Sequence, residues 1–429
     1  MIRRLLRAPV LLAFPLALLA GACSERLDTA DGCPLLCPGQ QLDILDTIID
    51  PAIVFDTTLQ TFPLLGFESA LLLASRGDTL DTRPIVRFDT LIRVFTPTGD
   101  TARPVTLVDS ATLSIRLTKT GVKLPNRFHI DVFDVADTTL VDSLPATLLP
   151  FFVPERLLGT LQVDSATFVD SGTVKIPLDT AKLRLIVTTP GGVLRVGLQL
   201  RSAETGALLM TPSDDATYGP QLRYRVSADT AIAAITVRPF SLTPRVPANV
   251  NTDLLDYLLI VAAPRVAAPG RFTVGGLPGL RSYLRFELPV WLTDSTAVLR
   301  AQLTFVQDPI YGLDDDDSLT VRAQLVLAGH ATTDLNRAAR LLAPVGYFVG
   351  DAFRVTPADS GAKSIEINAL LRAWRTNNGV RAIPSAIILR SDNEGSSALG
   401  ARFFGLGAAP ALRPRLRVSY VPNIKFGQP

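Results

Sequence analysis

Four consecutive carboxylates, Asp314, Asp315, Asp316 and Asp317 in YGLDDDDSLTV, are the sharpest polar feature of the chain. Carboxylate oxygens are hard ligands, and Ca²⁺ takes about six to eight of them, so this run is a candidate calcium site. Neighbouring residues point in different directions, so the same run also reads as a solvated hairpin loop. Ser213, Asp214 and Asp215 form a smaller acidic loop with the same two readings. The two tryptophans, Trp291 and Trp374, offer flat rings that could stack on a sugar. Trp374 follows Leu370 and Leu371 at the spacing of one helical side, which is a core pattern. Trp291 follows Pro289 and Val290 just before a strand and is the better glycan candidate; Tyr311, beside the acidic run, is a second. The only histidines are His129 and His330, with no Cys or His cluster around either, so zinc or triad chemistry has little to work with. The GxSxG, HExxH and Walker patterns are missing from the sequence, and turn propensity accounts for its scattered Asp residues. The expectation is a non-catalytic protein with no cofactor, apart from the candidate structural Ca²⁺.

What must position these residues is legible in composition and pattern. Hydrophobic residues are 47% and charged residues 19%, which indicates a globular chain of 429 residues, long enough for two or three domains. Thirty-two prolines, with many Thr, Val and Asp, favour strands joined by turns. The net charge of +2 includes Arg3, Arg4 and Arg7 of the opening segment; without them 39 basic residues face 40 acids. That balance excludes a nucleic-acid footprint.

The chain opens MIRRLLRAPVLLAFPLALLAGACSE. Three arginines precede an apolar run, Ala8 to Ala22, too short for the roughly 20 residues of a membrane span but suited to a secretory signal. Small residues Ala20, Gly21 and Ala22 lead into Cys23. This resembles the lipobox of bacterial lipoproteins, with Ala20 where that motif carries Leu, and it implies acylation of Cys23. The alternative is an ordinary signal peptide with an incidental cysteine. Acyl chains contribute about 0.8 kcal/mol per buried CH₂, so lipidation implies durable membrane attachment. Ser24, not Asp, follows the cysteine, and an outer-membrane or surface position is expected. Cys33 and Cys37 in DGCPLLCPG read as a disulfide clip in the tether, since an exported compartment permits one. A redox pair or a metal site is less well supported by the spacing.

Strand phrases recur. QLRYRVS at Gln221 to Ser227 returns as PRLRVSY at Pro414 to Tyr420, and each alternates apolar and polar residues with period two. IVRFDTL near Arg87 matches YLRFELP near Arg285. VDSATLSIRL, from Val108, matches TDSTAVLRAQL, from Thr293. GLQLRS matches AIILRS, and FESALLLAS near Phe67 lines up with LDYLLIVAA near Leu255. Five collinear matches indicate a tandem duplication. Dense short strands without covering helices indicate antiparallel sandwiches. The expected fold is therefore all-β: two tandem antiparallel β-sandwich (jelly-roll) domains after a signal peptide and short tether. The expected boundaries are 1–22 signal peptide, 23–42 tether, 43–228 first sandwich, 229–422 second sandwich and 423–429 tail.

The second copy, with SYLRFELP, STAVLRAQL, IEINALLRAWRTNNG, AIILRS and APALRPRLRVSYV in order, resembles the DNRLRE-type β-jelly-roll domain of bacterial and archaeal surface proteins. That family is related to carbohydrate-binding modules. The likeness covers roughly Leu258 to Val421 and is more diffuse over Ala70 to Ser227, where PLDTAKLRL has no Trp at the place of Trp374. It implies an extracellular sandwich that binds or displays, and transfers no ligand residue. Two functions follow as expectations: binding of an extracellular or cell-wall polysaccharide, or a structural lipoprotein that docks envelope proteins.

Overall fold

The computed structural model describes residues 44–61, 66, 68–76, 80–97, 101–120, 124–136, 145–166, 168, 170–242, 254–262, 267–277, 279–310, 317–326, 349–374 and 385–422. The signal segment, the tether with Cys23, Cys33 and Cys37, and the tail 423–429 lie outside the described residues. So do Tyr311 and three of the four candidate calcium ligands, Asp314, Asp315 and Asp316. Residues from Leu45 onward form one compact unit.

Within that unit the chain runs in four stretches. An N-terminal arm holds β1 (Leu45–Ile49) and β2 (Ile53–Thr61). A first body follows: β3 (Leu71–Ser75), β4 (Leu80–Phe88), the small ribbon β5 (Val94–Phe95) and β6 (Arg103–Pro104), β7 (Ser110–Lys119), β8 (Arg127–Asp134), β9 (Leu157–Asp164), β10 (Ser171–Pro177), α1 (Thr180–Thr188), β11 (Leu194–Arg201), β12 (Gly206–Met210) and β13 (Gln221–Arg225). A second arm holds β14 (Ile235–Val237) and β15 (Asp256–Ala262). The second body holds β16 (Arg271–Gly275), β17 (Gly279–Phe286), α2 (Val290–Asp294), β18 (Thr296–Asp308), β19 (Leu319–Leu325), β20 (Val349–Val355), β21 (Gly361–Glu366), α3 (Asn368–Ala373), β22 (Ala386–Ser391), β23 (Gly400–Phe404) and β24 (Arg415–Pro422).

The all-β expectation holds: two eleven-stranded antiparallel sheets, each wrapped over its own apolar core. Alternation decides which face goes inward. In β7, Ala111, Leu113, Ile115 and Leu117 are buried, while Thr112, Ser114 and Arg116 between them are not. The short helices plug the sandwiches. Asp179 caps α1 by accepting from the backbone N–H of Ala181 and Lys182, and Leu183 and Val187 enter the first core. In the equivalent α3, Leu370 and Leu371, with Trp374 just after it, enter the second, where Trp374 lies against Phe286 with ring centroids 5.1 Å apart.

The strand orders show a feature the boundaries above missed. The first sheet runs β14-β13-β7-β12-β3-β4-β11-β8-β9, with β10 on β7 and β15 on β4. The second runs β1-β24-β18-β23-β16-β17-β22-β19-β20, with β21 on β18 and β2 on β17. The two orders superimpose when β14 stands for β1 and β15 for β2. Each repeat therefore lends its opening arm to the other repeat's sandwich. The boundaries 43–228 and 229–422 fit the sequence repeats but not the folded bodies: residues 45–61 complete the second sandwich and 256–262 the first. The phrase match of FESALLLAS with LDYLLIVAA is corrected too. β3 is the counterpart of β16, and β15 is the counterpart of β2.

One carboxylate fastens each exchanged arm. Asp56 pairs in register with Leu284, and Asp256 with Val86, the two residues that the repeat places in equivalence. Asp56 Oδ2 accepts from the Leu406 N–H at 2.7 Å, and Asp256 Oδ2 from the Ser213 N–H at 2.5 Å. The donor loops follow the equivalent strands β23 and β12. Gly405 is a close approach: a Cβ there would lie 2.4 Å from Asp56 Oδ2. Asp256 is almost fully buried, and so is Glu68, between β2 and β3. Burial, with the Asp256 charge adding to it, pushes the Glu68 carboxyl up to about 8.

That shift predicts a pH dependence. The folded-state pKa is above the ordinary glutamate value of 4.5, so between about 4.5 and about 8 the native state holds a proton that the unfolded chain gives up. Stability falls as pH rises through that window, by on the order of a few kcal/mol. Glu68→Gln is expected to flatten the melting temperature against pH between those limits. Parallel curves for the two proteins would refute the assignment.

Candidate functional site

The exchanged arms and a direct junction hold the sandwiches side by side. Leu277, from the turn between β16 and β17, is buried in the first core, and the Leu72 N–H donates to the Gly395 carbonyl at 3.3 Å. Beside this junction opens a cavity of about 250 Å³. Arg76 beyond β3, Lys119 and Thr120 at the end of β7, and Leu209 of β12 line it from the first sandwich. Asp317 and Ser318, ahead of β19, and Asn393, Ser396 and Ser397, in the turn after β22, line it from the second.

Local structure sets the donors and acceptors. Asn393 is fixed by its Oδ1, which accepts from the Thr320 N–H at 3.3 Å, and by its own N–H, which donates to Ser391 Oγ at 3.0 Å. Among the described residues its Nδ2 has no acceptor. Ser397 Oγ accepts from the Leu399 N–H at 3.1 Å, and among the described residues its own hydrogen has no acceptor. The Lys119 ammonium and the Asp317 carboxylate share the cavity, yet neither has an ion-pair partner among the described residues. Leu72, Ala74, Ala207, Leu209 and Leu399 supply apolar floor between these groups. An apolar floor with a few convergent polar groups suits a small amphipathic ring bearing several hydroxyls.

The candidate calcium run Asp314, Asp315, Asp316 and Asp317 is described at Asp317 alone, and that residue lines this cavity. Among the described residues, no group of three or more His, Cys, Asp or Glu is arranged around a metal position. Asp215 is a turn residue: it accepts from the N–H groups of Thr217 and Tyr218, which hold its carboxyl below the usual range.

Trp291 lies elsewhere, in α2 at the β1 edge of the second sandwich. It is 37% exposed and tilted against Tyr420, with ring centroids 4.9 Å apart. The structure does not bring Trp291 and Asp317 into one lining. On the outer face of the same edge, Asp46, Arg300, Gln302, Arg417 and Ser419 border a polar groove of about 180 Å³. There Arg417 donates to Asp46 across the β1–β24 pair and holds that carboxyl below its ordinary value.

Sequence reading missed Lys119 and Asn393. Lys119 ends a regular strand and Asn393 sits in a turn, and neither position carries a motif. It missed Asp56 and Asp256 too, because VFDTTL and LLDYLL share little besides the carboxylate.

No family model and no curated protein matches the chain. Among solved structures, a tandem pair of CBM22 domains from Paenibacillus barcinonensis Xyn10C is similar at 9% identity, covering 89% of this chain and 98% of that one, with a TM-score of 0.16. An infectious bursal disease virus structure, Gx strain, is similar at 10% identity over 90% of this chain and 78% of its own, with a TM-score of 0.11. TM-scores this low carry no argument, so the fold rests on strand order and register in the chain itself.

Proposed function

We propose that this chain is a non-catalytic, lipid-anchored envelope protein that binds an extracellular or cell-wall polysaccharide, and that the cleft between its sandwiches grips one sugar unit. The observation that carries this reading is the walled cavity in which Lys119 and Asp317, without ion-pair partners among the described residues, face an apolar floor. Lys119 and the Asn393 amide would donate to sugar oxygens, and Asp317 would accept from hydroxyls. The acylated Cys23 would supply the anchor.

Affinity gel electrophoresis of the purified protein against envelope polysaccharides tests it. A hydrogen bond from a charged group is worth about 1.5–3 kcal/mol and a neutral one about 0.5–1.5. Lys119→Ala is therefore expected to weaken retardation about tenfold or more, and Asn393→Ala several-fold. Trp291→Ala tests the stacking expectation directly, and unchanged binding removes that residue from the glycan site.

The structural-docking reading has an observation in its favour too. Exchanged arms tie the sandwiches into one compact unit, as a spacer requires. It takes precedence if no polysaccharide retards the protein while pull-downs recover envelope proteins.

A further inference from the structure

The β1 edge of the second sandwich exposes large apolar side chains next to one another. Leu45 pairs in register with Tyr420, and Tyr420 with Val298 of β18. Trp291 leans on the Tyr420 ring, and Val290 beside it is 66% exposed. The β18 register shifts between Val298 and Arg300, and this bulge turns Leu299 outward, 49% exposed. Trp291 and Tyr420, with Leu45 in register and exposed Val290 beside Trp291, make one aromatic and aliphatic edge, and Leu299 stands exposed on the adjoining bulge.

We propose that this edge docks on the lipid surface to which the chain is anchored. The inference rests on the reading of Cys23 as the acylated residue. Two observations select lipid over other occupants. Leu45 opens the first strand after the tether, 22 residues beyond Cys23, so the edge that carries it is the part of the unit nearest the anchor along the chain. At no more than about 3.6 Å per residue, the tether confines the unit to the neighbourhood of the membrane. A Trp and Tyr pair, each with an apolar body and a polar tip, matches the headgroup boundary, where such rings concentrate. Arg300 and Arg417 border the same strands, but each is ion-paired, to Glu366 and to Asp46, so the docking is carried by the apolar and aromatic side chains and not by a net positive rim.

The two tryptophans make the test direct, because Trp374 is buried in the core and serves as an internal reference. Full-length acylated protein is reconstituted in vesicles of phosphatidylethanolamine and phosphatidylglycerol, with and without brominated acyl chains. Flotation reports the anchor, and Trp emission reports the edge. The expected result is flotation, loss of most Trp291 emission to bromine, and shielding of that ring from iodide relative to the unacylated Cys23→Ser protein. Trp291→Phe, which keeps a ring on Tyr420, should abolish the bromine effect. Flotation with Trp291 unquenched and open to iodide overturns the docking and leaves the anchor standing. Failure to float overturns the anchor and the docking with it. Shielding by added polysaccharide without bromine quenching also overturns the docking and returns Trp291 to sugar stacking.

Discussion

Deletion of residues 1–62 is expected to unfold the second sandwich, the one farther along the chain, and to spare the first. Hydrogen exchange should show lost protection over β16 to β24, with β3 to β15 still protected. The reason is the exchanged arm. β2 pairs with β17 over eight residue pairs, Gly279–Thr61 to Phe286–Ile53, and β1 covers β24 over five more. Ile53 and Ala52 belong to the second core. Burying a side chain the size of Ile53 is worth about 1.5–3 kcal/mol. Each lost ladder hydrogen bond costs about 0.5–1.5 kcal/mol, and more where the orphaned group stays buried. Together these approach the whole stability of a domain, about 5–15 kcal/mol. If each repeat were a self-contained body, the damage would appear within residues 66–228, and that outcome would disprove the exchange. Asp56→Ala in the full-length chain checks the same point without truncation. It orphans the Leu406 N–H and should raise exchange in the loop after β23, not in the first sandwich.

Arg281→Met should produce the second large effect. Arg281 and Glu394 form a two-pronged ion pair at 2.8 and 2.6 Å, with side chains only 5% and 7% exposed. Removing one partner from a buried pair leaves an uncompensated charge and costs about 3–5 kcal/mol. For a unit of this kind that lowers the melting temperature by on the order of 10 °C. The double variant Arg281→Met with Glu394→Leu should recover most of the loss, because two apolar side chains fill the space without a stranded charge. The pair sits beside the inter-sandwich junction, since Gly395 next to Glu394 accepts the Leu72 N–H. Loss of the ion pair should therefore weaken polysaccharide retardation along with stability. Equal stability of single and double variants would show that the charges are not coupled.

Arg87 shows what strand alternation leaves out. Arg87 alternates with Val86 and Phe88 and so reads as outward-facing. In the structure it is 4% exposed and joined to Asp89 at 2.6 Å, under the returning segment at Phe240 and Leu242. Alternation correctly says that Arg87 faces away from the core of its own sheet. It is blind to a distant segment that covers the second face. Arg417, read the same way, does point outward and meets Asp46 across the β1–β24 pair.

The strands of β7 and β18, the core roles of Leu370, Leu371 and Trp374, and the duplication were determined by the sequence alone. They depend on side-chain period and local composition, which are written residue by residue. The sandwich each arm enters, the Asp56 and Asp256 latches and the cleft that both Lys119 and Asp317 line were decided only by the tertiary structure. A strand offers the same backbone N–H and C=O groups to any free edge. Its choice of partner therefore depends on which edges the rest of the fold leaves open, and no period in the strand itself records that.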